Sequence, residues 1–189
     1  MCSRYFTVDE TSGIRTDVRP CDEAAVLVSE RGKTIVRRKM FWGFHPAVSG
    51  GRGNGPANGP TVYNARVETA PEKAMFRECM ARRRIAVPAG GFYEWNRAGE
   101  KAVFEAATGK ELYFAGCYRF EGAEPHFVIL TTEPNESVRK IHDRMPLILT
   151  QEQLESWLSD GGDYRELLKQ TPGELKSTMD YEQQKFEFI

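Results

Sequence analysis

The chain opens with Met1-Cys2, and Cys2 is the residue with the clearest chemical potential. Initiator methionine is usually removed when the next residue is small, which would leave a cysteine with a free α-amino group beside its thiol. Such an aminothiol condenses with an aldehyde: the amine forms a Schiff base, and the thiol closes on the same carbon to give a thiazolidine. The pKa of an α-amino group is about 7.7–8.0, so part of it is neutral and nucleophilic near pH 7. Cys2 is a candidate nucleophile, although a cysteine on a frayed terminus is the simpler interpretation of this residue taken alone.

Three other polar residues lie in segments whose pattern predicts partial burial: Asn64, Glu94 and His142. Glu94 falls inside an aromatic strand, where a carboxylate is unfavourable unless it is paired or its pKa is raised. His142 lies between apolar neighbours and has the pKa range needed for proton transfer. Each also has a simpler interpretation: Asn64 as a turn former, Glu94 as a solvent-facing strand residue and His142 as a hydrogen-bonded histidine without a chemical role.

Composition limits the classes of protein that can carry these residues. The 189 residues are enough for one domain with a sizeable core, and the net charge of −1 gives no sign of disorder. No run approaches the ~18–20 apolar residues of a membrane span, and the N-terminus lacks the apolar core of a signal peptide, so we expect a cytosolic protein. The four cysteines, which predict neither a cysteine zinc site nor a disulfide framework because no CxxC pair occurs, are Cys2, Cys21, Cys79 and Cys117. The last two read as small buried hydrophobes.

Short strands with a few helices are the elements that must position these side chains. Strands are predicted at residues 24–29, 34–38, 40–44, 85–89, 91–95, 101–107, 112–118 and 126–131. The first two form a hairpin around a turn at 30–33, and 101–107 forms another with 112–118. Helices are predicted at 72–83, after Asn135 towards Ile141, and from a Thr150/Gln153 capping box to near Leu158, with the glycines at 161–162 as the stop signal. Residues 49–60 read as a glycine- and proline-rich surface loop. The pattern favours an α+β domain over residues 1–189, with a mostly antiparallel, barrel-like sheet and a few short helices.

Six motifs occur in a fixed order along the chain: Met-Cys-x-Arg, Trp-Gly, Asn-Ala-Arg-x-Glu-Thr, Gly-Phe-Tyr-Glu-Trp, Leu-Thr-Thr and Ile-His-Asp-Arg-Met-Pro. Together they resemble the SRAP (SOS-response-associated peptidase) family, the abasic-site crosslinking proteins. The matching segments cover most of the chain and lie at residues 2–4, 42–43, 64–69, 88–95, 130–132 and 141–146, with Trp157-Leu158 as a further match.

The resemblance implies the SRAP fold and a protein of the DNA damage response. It would bind single-stranded DNA, or a single-strand/duplex junction, and capture an abasic site covalently through Cys2 after removal of Met1. The residues that it places around Cys2 are Asn64, Glu94 and His142. Those that it assigns to DNA binding are Arg4, Trp42, Arg66 and Arg144. It implies no cofactor or metal, and a monomeric, cytoplasmic, nucleoid-associated protein of bacterial origin.

The chemistry of an abasic site suits this assignment. The sugar equilibrates with a ring-opened aldehyde, the electrophile that an aminothiol needs. Ring opening requires a proton at the sugar oxygen, which His142 can move, while Glu94 can deprotonate the Cys2 ammonium and stabilise the iminium. Asn64 can hold the product by hydrogen bonds, and arginines can contact phosphates.

Alternative functions remain open on the sequence. Cys2 could be the nucleophile of a thiol peptidase, as the family name suggests, or the chain could bind single-stranded or modified DNA without covalent chemistry, or be a structural domain. The chain also departs from the family pattern. Residue 3 is Ser where Gly is commoner, and after Trp42-Gly43 it reads Phe-His-Pro-Ala-Val instead of Leu-Ile-Pro-Ser-Trp. One aromatic residue that could contact DNA is therefore missing, and His45 is present instead.

Overall fold

The computed structural model describes residues 2–9, 11–30, 34–46, 59–159 and 163–179. Within these ranges the chain forms thirteen strands and four helices. The strands are β1 Tyr5–Val8, β2 Arg15–Val18, β3 Glu23–Glu30, β4 Thr34–Trp42, β5 Asn64–Arg66, β6 Arg84–Ala89, β7 Gly91–Trp95, β8 Lys101–Ala106, β9 Leu112–Glu121, β10 Glu124–Thr132, β11 Met145–Pro146, β12 Ile148–Leu149 and β13 Leu175–Met179. The helices are α1 Ala74–Arg82, α2 Glu136–Arg139, α3 Gln151–Leu158 and α4 Tyr164–Leu167.

Five of the strands close into a barrel. β10 pairs with β4, β4 with β3, β3 with β6, β6 with β9, and β9 returns to β10. The β10–β4 pairing is parallel and the others are antiparallel, while β5 adds to β10 in parallel register. Alternation of buried and exposed positions along β3 and the fully buried β6 explain why these apolar sequences form barrel strands. The predicted α+β class with a mostly antiparallel, barrel-like core is confirmed.

A second sheet, in the order β13-β8-β7-β1-β2, packs beside the barrel. The chain passes from the barrel strand β6 to β7 of this sheet through Gly90. A Cβ on Gly90 would lie 2.6 Å from a Val8 methyl carbon, and one on Gly91 would lie 2.3 Å from the Phe104 carbonyl oxygen. Both contacts are closer than a side chain allows, so the two glycines permit the close approach of the start of β7 to its neighbours β1 and β8. β1 pairs with β7 through Tyr5 and Phe92, which brings the start of the chain beside the aromatic strand.

The helices mostly follow the predicted signals. α1 buries Phe76, Cys79 and Met80 on one face. Asn135 caps α2, since its Oδ1 accepts from the Val138 backbone N–H at 3.1 Å, and the helix ends at Arg139. The capping box of α3 at Thr150 is formed as predicted. Among the described residues, no helix is long and apolar enough to cross a membrane.

Two predictions about the strands are wrong. β8 and β9 do not form a hairpin: β8 pairs with β7 and β13, whereas β9 belongs to the barrel. The Thr108-Gly109 turn, with Gly109 at φ +69°, moves the chain between sheets, and its composition does not distinguish such a crossing from a hairpin. The strand predicted at 40–44 is not separate, because β4 runs on to Trp42 and Phe44 makes only an isolated bridge with Val62.

Some predictions fall outside the described residues. These are the position of Met1, the turn at residues 31–33, the loop of 49–60 apart from residues 59 and 60, and the helix stop at 161–162. Cys79 and Cys117 lie within the described part and are buried between α1 and β9, as predicted.

Candidate active site

Cys2 lies three residues before the start of β1 and is completely buried. The side-chain amide of Asn64 donates from Nδ2 to the Cys2 carbonyl oxygen at 2.7 Å. Asn64 is the first residue of β5 and pairs with Ile129 of the barrel strand β10, so the barrel fixes its position. Its other polar atom, Oδ1, is buried and accepts no hydrogen bond from the described residues. The structure therefore places a buried acceptor beside the anchored Cys2 backbone.

The Cys2 thiol is held in its neutral form. Burial is the main cause that raises its pKa, and the negative charge of Glu94 raises it further. The thiol points its Sγ towards the Arg4 carbonyl oxygen at 3.7 Å. A buried, protonated sulfur of this kind is a poor first nucleophile at neutral pH, because attack requires the thiolate.

Glu94 and His142 form a second part of the same site. Glu94 lies on β7 with 3% of its surface exposed, and its Oε2 is 3.9 Å from Nε2 of His142. Burial raises the pKa of Glu94 to about 7. A carboxyl group with this pKa is present in both forms near neutral pH, so it can accept or release a proton there.

His142 lies between α2 and β11 and is oriented through its other ring nitrogen. The backbone N–H of Arg144 donates to Nδ1 at 3.0 Å. A neutral imidazole that accepts at Nδ1 carries its proton on Nε2, the nitrogen that faces Glu94. Burial lowers the pKa of His142, although Asp143, with Oδ1 at 3.0 Å from Nδ1, opposes this shift. The Arg144 N–H favours the neutral tautomer with its proton on Nε2, whereas the nearby Asp143 carboxylate favours a proton on Nδ1.

Two of the residues expected to bind DNA keep accessible surface near this site. Arg66 is exposed at the end of β5, two residues after Asn64. Arg4 is partly exposed; its guanidinium pairs with Asp17 and lies over the Tyr93 ring, 5.1 Å from the ring centre. These two positive charges flank the segments that carry Cys2 and Asn64.

The other two residues expected to bind DNA are buried. Trp42 is fully buried; its indole N–H donates to the Tyr63 carbonyl at 2.8 Å, and its ring stacks on Phe127. It is a core residue out of reach of DNA. Arg144 is 8% exposed, and its guanidinium binds both carboxylate oxygens of Glu68, at 2.7 and 2.9 Å. The expected direct contact of Arg144 with DNA is therefore replaced by an internal ion pair.

An open cavity of about 990 Å³ borders His142. Its lining includes three basic residues outside the family motifs: Arg97, Arg139 and Lys140. Arg97 lies about 40 residues before the adjacent Arg139 and Lys140, and basic residues without a motif look like any other surface charges in a sequence. Only the fold gathers them beside the imidazole, together with the half-buried Trp95.

Comparisons of the chain with a family model and with curated proteins lead to the same family. The family model described as SOS response associated peptidase (SRAP) matches residues 1–183. The Bacillus subtilis abasic site processing protein YoqW is 36% identical over 153 residues, 76% of this chain and 66% of that protein. The Escherichia coli abasic site processing protein YedK is 33% identical over 140 residues, 70% of this chain and 60% of that protein. The matched region thus spans just under two thirds of these curated relatives.

The fold also matches solved structures. A crystal structure of a Bordetella bronchiseptica protein superimposes with a TM-score of 0.76 at 23% identity, covering 94% of this chain and 99% of that one. At this identity the match shows a shared fold.

Proposed function

The chain belongs to the SOS response associated peptidase (SRAP) family, and from this membership we propose that it captures abasic sites in single-stranded DNA as a thiazolidine at Cys2. The proposal requires removal of Met1, so that Cys2 carries the free α-amino group. Relatives named abasic site processing proteins support the substrate. The hydrogen bond from Asn64 Nδ2 to the Cys2 carbonyl carries the mechanism, because it fixes the backbone that bears the reacting amine.

The reaction would begin at the sugar. Protonation of the ring oxygen opens the abasic sugar to its aldehyde, and His142 would be the donor, through Nε2–H in the tautomer that the Arg144 N–H favours. The Cys2 amine then adds to the aldehyde carbon. Loss of the aldehyde oxygen as water gives the iminium, and the thiol adds to that carbon while its proton passes to a base. One C–N and one C–S bond form, and no oxidant or reductant is needed.

Glu94 suits the proton transfers of this sequence. With a pKa of about 7 it can take the proton of the Cys2 ammonium and return one to the departing hydroxyl. Its carboxylate also favours the positive charge of the iminium. The raised pKa of the Cys2 thiol fits the same order of events, since the amine attacks first and the thiol follows on a strong electrophile.

The peptidase alternative has less support. A thiol peptidase needs a thiolate as its first nucleophile, whereas burial raises the pKa of the Cys2 thiol. Crosslinking uses the amine first and does not require that ionisation. The two chemistries are separated by variants at Cys2.

The test is a denaturing gel of the protein with single-stranded DNA that carries one abasic site, after the intact mass has shown whether Met1 is removed. We expect an adduct that survives SDS and heat and is absent with undamaged DNA. Cys2→Ala retains an amine but no thiol, so it should give only an adduct trapped by borohydride. Cys21→Ala is the matched control, because Cys21 is the exposed cysteine, and it should crosslink normally.

Two results would contradict the proposal. The first is the absence of a stable adduct from protein with a confirmed N-terminal Cys2. The second is an equally stable adduct from Cys2→Ala. Cleavage of a peptide that depends on Cys2, together with Cys2-independent crosslinks, would favour the peptidase instead.

A further inference from the structure

We propose that His45, Glu121 and His126 form a binding site for a divalent transition-metal ion of the zinc class. Glu121 Oε2 lies 2.7 Å from Nδ1 of His45 and 3.9 Å from Nδ1 of His126. One ligand atom from each residue lies within 4.8 Å of those from the other two. This site is separate from Cys2, Glu94 and His142, and the inference does not depend on the proposed function.

The donor set is typical of zinc. Two imidazole nitrogens and one carboxylate oxygen provide three ligands and leave a fourth position for water. With metal–ligand distances of about 2.0–2.2 Å, tetrahedral ligand atoms lie about 3.4 Å apart. The distances of 2.7 and 3.9 Å lie on either side of this value, and the three ligand atoms lie within 4.8 Å of one another, so side-chain shifts on the order of 1 Å would complete the site.

The surroundings orient the ligands as a metal site requires. Oε1 of Glu121 accepts from Arg119 Nε at 3.0 Å, from Arg119 Nη2 at 2.6 Å and from the His45 backbone N–H at 2.9 Å. These contacts occupy one carboxylate oxygen and turn the other towards both imidazoles. Outer-shell partners of this kind normally fix the first ligands of a metal.

His126 has a second polar contact, which bears on whether a metal binds through Nε2 or through Nδ1. Its Nδ1 lies 2.9 Å from the Gly43 carbonyl oxygen and donates to it when protonated. If the metal takes Nε2, this hydrogen bond is the usual backbone support of a metal-binding histidine. If it takes Nδ1, the hydrogen bond to the Gly43 carbonyl is lost. The positive charge of Arg119 opposes any cation here, so we expect moderate affinity.

The site lies where the chain departs from its family pattern. His45 follows β4, Glu121 ends β9 and His126 lies on β10, where it pairs with Phe41. A bound ion would join the segment after β4 to the β9–β10 turn. Ile129, three residues further along β10, pairs with Asn64, so the strand that carries one ligand also supports the anchor of Cys2.

The sequence contains three histidines, which makes the test direct. In a ¹⁵N–¹H spectrum of the imidazoles, added Zn²⁺ should shift the signals of His45 and His126 and leave His142 in place at equimolar metal. Calorimetry should show one site whose affinity falls at least about tenfold in His45→Ala and in Glu121→Gln. Because 47% of the His45 side chain is exposed, its truncation should not disturb the core.

The thiols are the competing zinc ligands, so Cys2→Ala and Cys21→Ala serve as controls and should bind Zn²⁺ as the unmodified protein does. Thermal unfolding without metal will show whether each variant is folded. Unshifted His45 and His126 signals, or equal Zn²⁺ affinity in His45→Ala, would overturn the proposal. So would loss of the calorimetric site in Cys2→Ala, which would assign the metal to the thiol.

Discussion

The backbone N–H of Arg144 donates to Nδ1 of His142 at 3.0 Å. The side chain of Arg144 explains why this N–H is fixed, because it binds both oxygens of Glu68 and donates from Nη2 to the Thr131 carbonyl at 2.5 Å. The ion pair thus anchors the backbone N–H that favours the Nε2-protonated tautomer of His142. We infer that Arg144, which the motifs assign to DNA, is a positioning residue for the imidazole.

Arg144→Lys tests this positioning role. Lysine keeps the charge but cannot bind the carboxylate of Glu68 through two nitrogens in one plane. We expect slower crosslinking, by about tenfold or more, and weaker thermal stability, with DNA affinity largely unchanged. The imidazole ¹⁵N shifts should move towards a mixture of tautomers, which a simple loss of packing elsewhere would not cause. Normal shifts with a normal rate would contradict the role.

Arg66→Ala should weaken DNA binding and leave stability unchanged, which is the opposite of the pattern expected for Arg144→Lys. Arg66 is exposed and, within the described part of the chain, has no ion-pair partner, so its charge is available to a phosphate. Its removal should weaken binding of undamaged single-stranded DNA and reduce the salt slope of log K by about 1, without a change in melting temperature. Arg38→Ala is the matched control, since Arg38 is an exposed arginine of β4 that pairs with Glu30. A salt slope equal to that of the control would remove Arg66 from the DNA contact.

Glu94→Gln should change the pH dependence of crosslinking. In the unmodified protein the ionised carboxylate becomes available as pH rises through about 7. The rate should therefore rise over that range, and Gln should lower it roughly a hundredfold at pH 7. In the variant the remaining rise should follow the amine itself, nearer pH 8. Single-turnover rates from pH 5.5 to 9 cover both the rise near pH 7 in the unmodified protein and the rise near pH 8 in the variant. An unchanged pH profile in Glu94→Gln would refute the role of Glu94 in proton transfer.

The same substitution should stabilise the fold at high pH. The carboxyl of Glu94 titrates at about 7 when folded and near 4.5 when unfolded, so the folded state binds more protons between these values. The free energy of unfolding therefore falls as pH rises from 4.5 to 7, by at most on the order of 3 kcal/mol. Glutamine does not ionise, so Glu94→Gln does not lose this part of the free energy of unfolding.

Melting temperatures at pH 5 and pH 8 provide the measurement. Glu94→Gln should melt higher than the unmodified protein at pH 8, and the difference should shrink at pH 5. Glu105→Gln, on β8 and paired with Arg15, is the control and should show no such gain at pH 8. If the melting temperature of Glu94→Gln minus that of the unmodified protein is smaller at pH 8 than at pH 5, the prediction is wrong.

The ordered family motifs singled out the four clustered residues, because each of them taken alone also has a simpler interpretation. Glu94 within aromatic residues and His142 between apolar ones are local signals. The role of Trp42 was not visible, since a buried aromatic and a DNA-stacking aromatic have the same neighbours in the sequence. His45 and Glu121 lie 76 residues apart and meet through the closure of the barrel, which no local pattern encodes. The wrong prediction of a β8–β9 hairpin has the same cause, because the residues of a turn do not specify which sheet receives the next strand.

Asn64→Asp provides the most direct test of the anchor on Cys2. The change is nearly isosteric, but a carboxylate cannot donate to the Cys2 carbonyl and places an acceptor against it instead. We expect a loss of about 1–3 kcal/mol in stability and a marked fall in crosslinking rate. Asn135→Asp is the matched control: Asn135 is also buried and donates from Nδ2 to a backbone carbonyl, that of Gly173 at 2.7 Å.

The control separates stability from chemistry. Asp retains the cap of α2, so Asn135→Asp should lose comparable stability while it crosslinks at a normal rate under conditions where it is folded. If both variants slow crosslinking equally, the effect of Asn64 is general destabilisation and the anchor has no chemical role. If only Asn64→Asp is slow, the hydrogen bond to Cys2 positions the reacting amine, because the same substitution chemistry elsewhere leaves the rate intact.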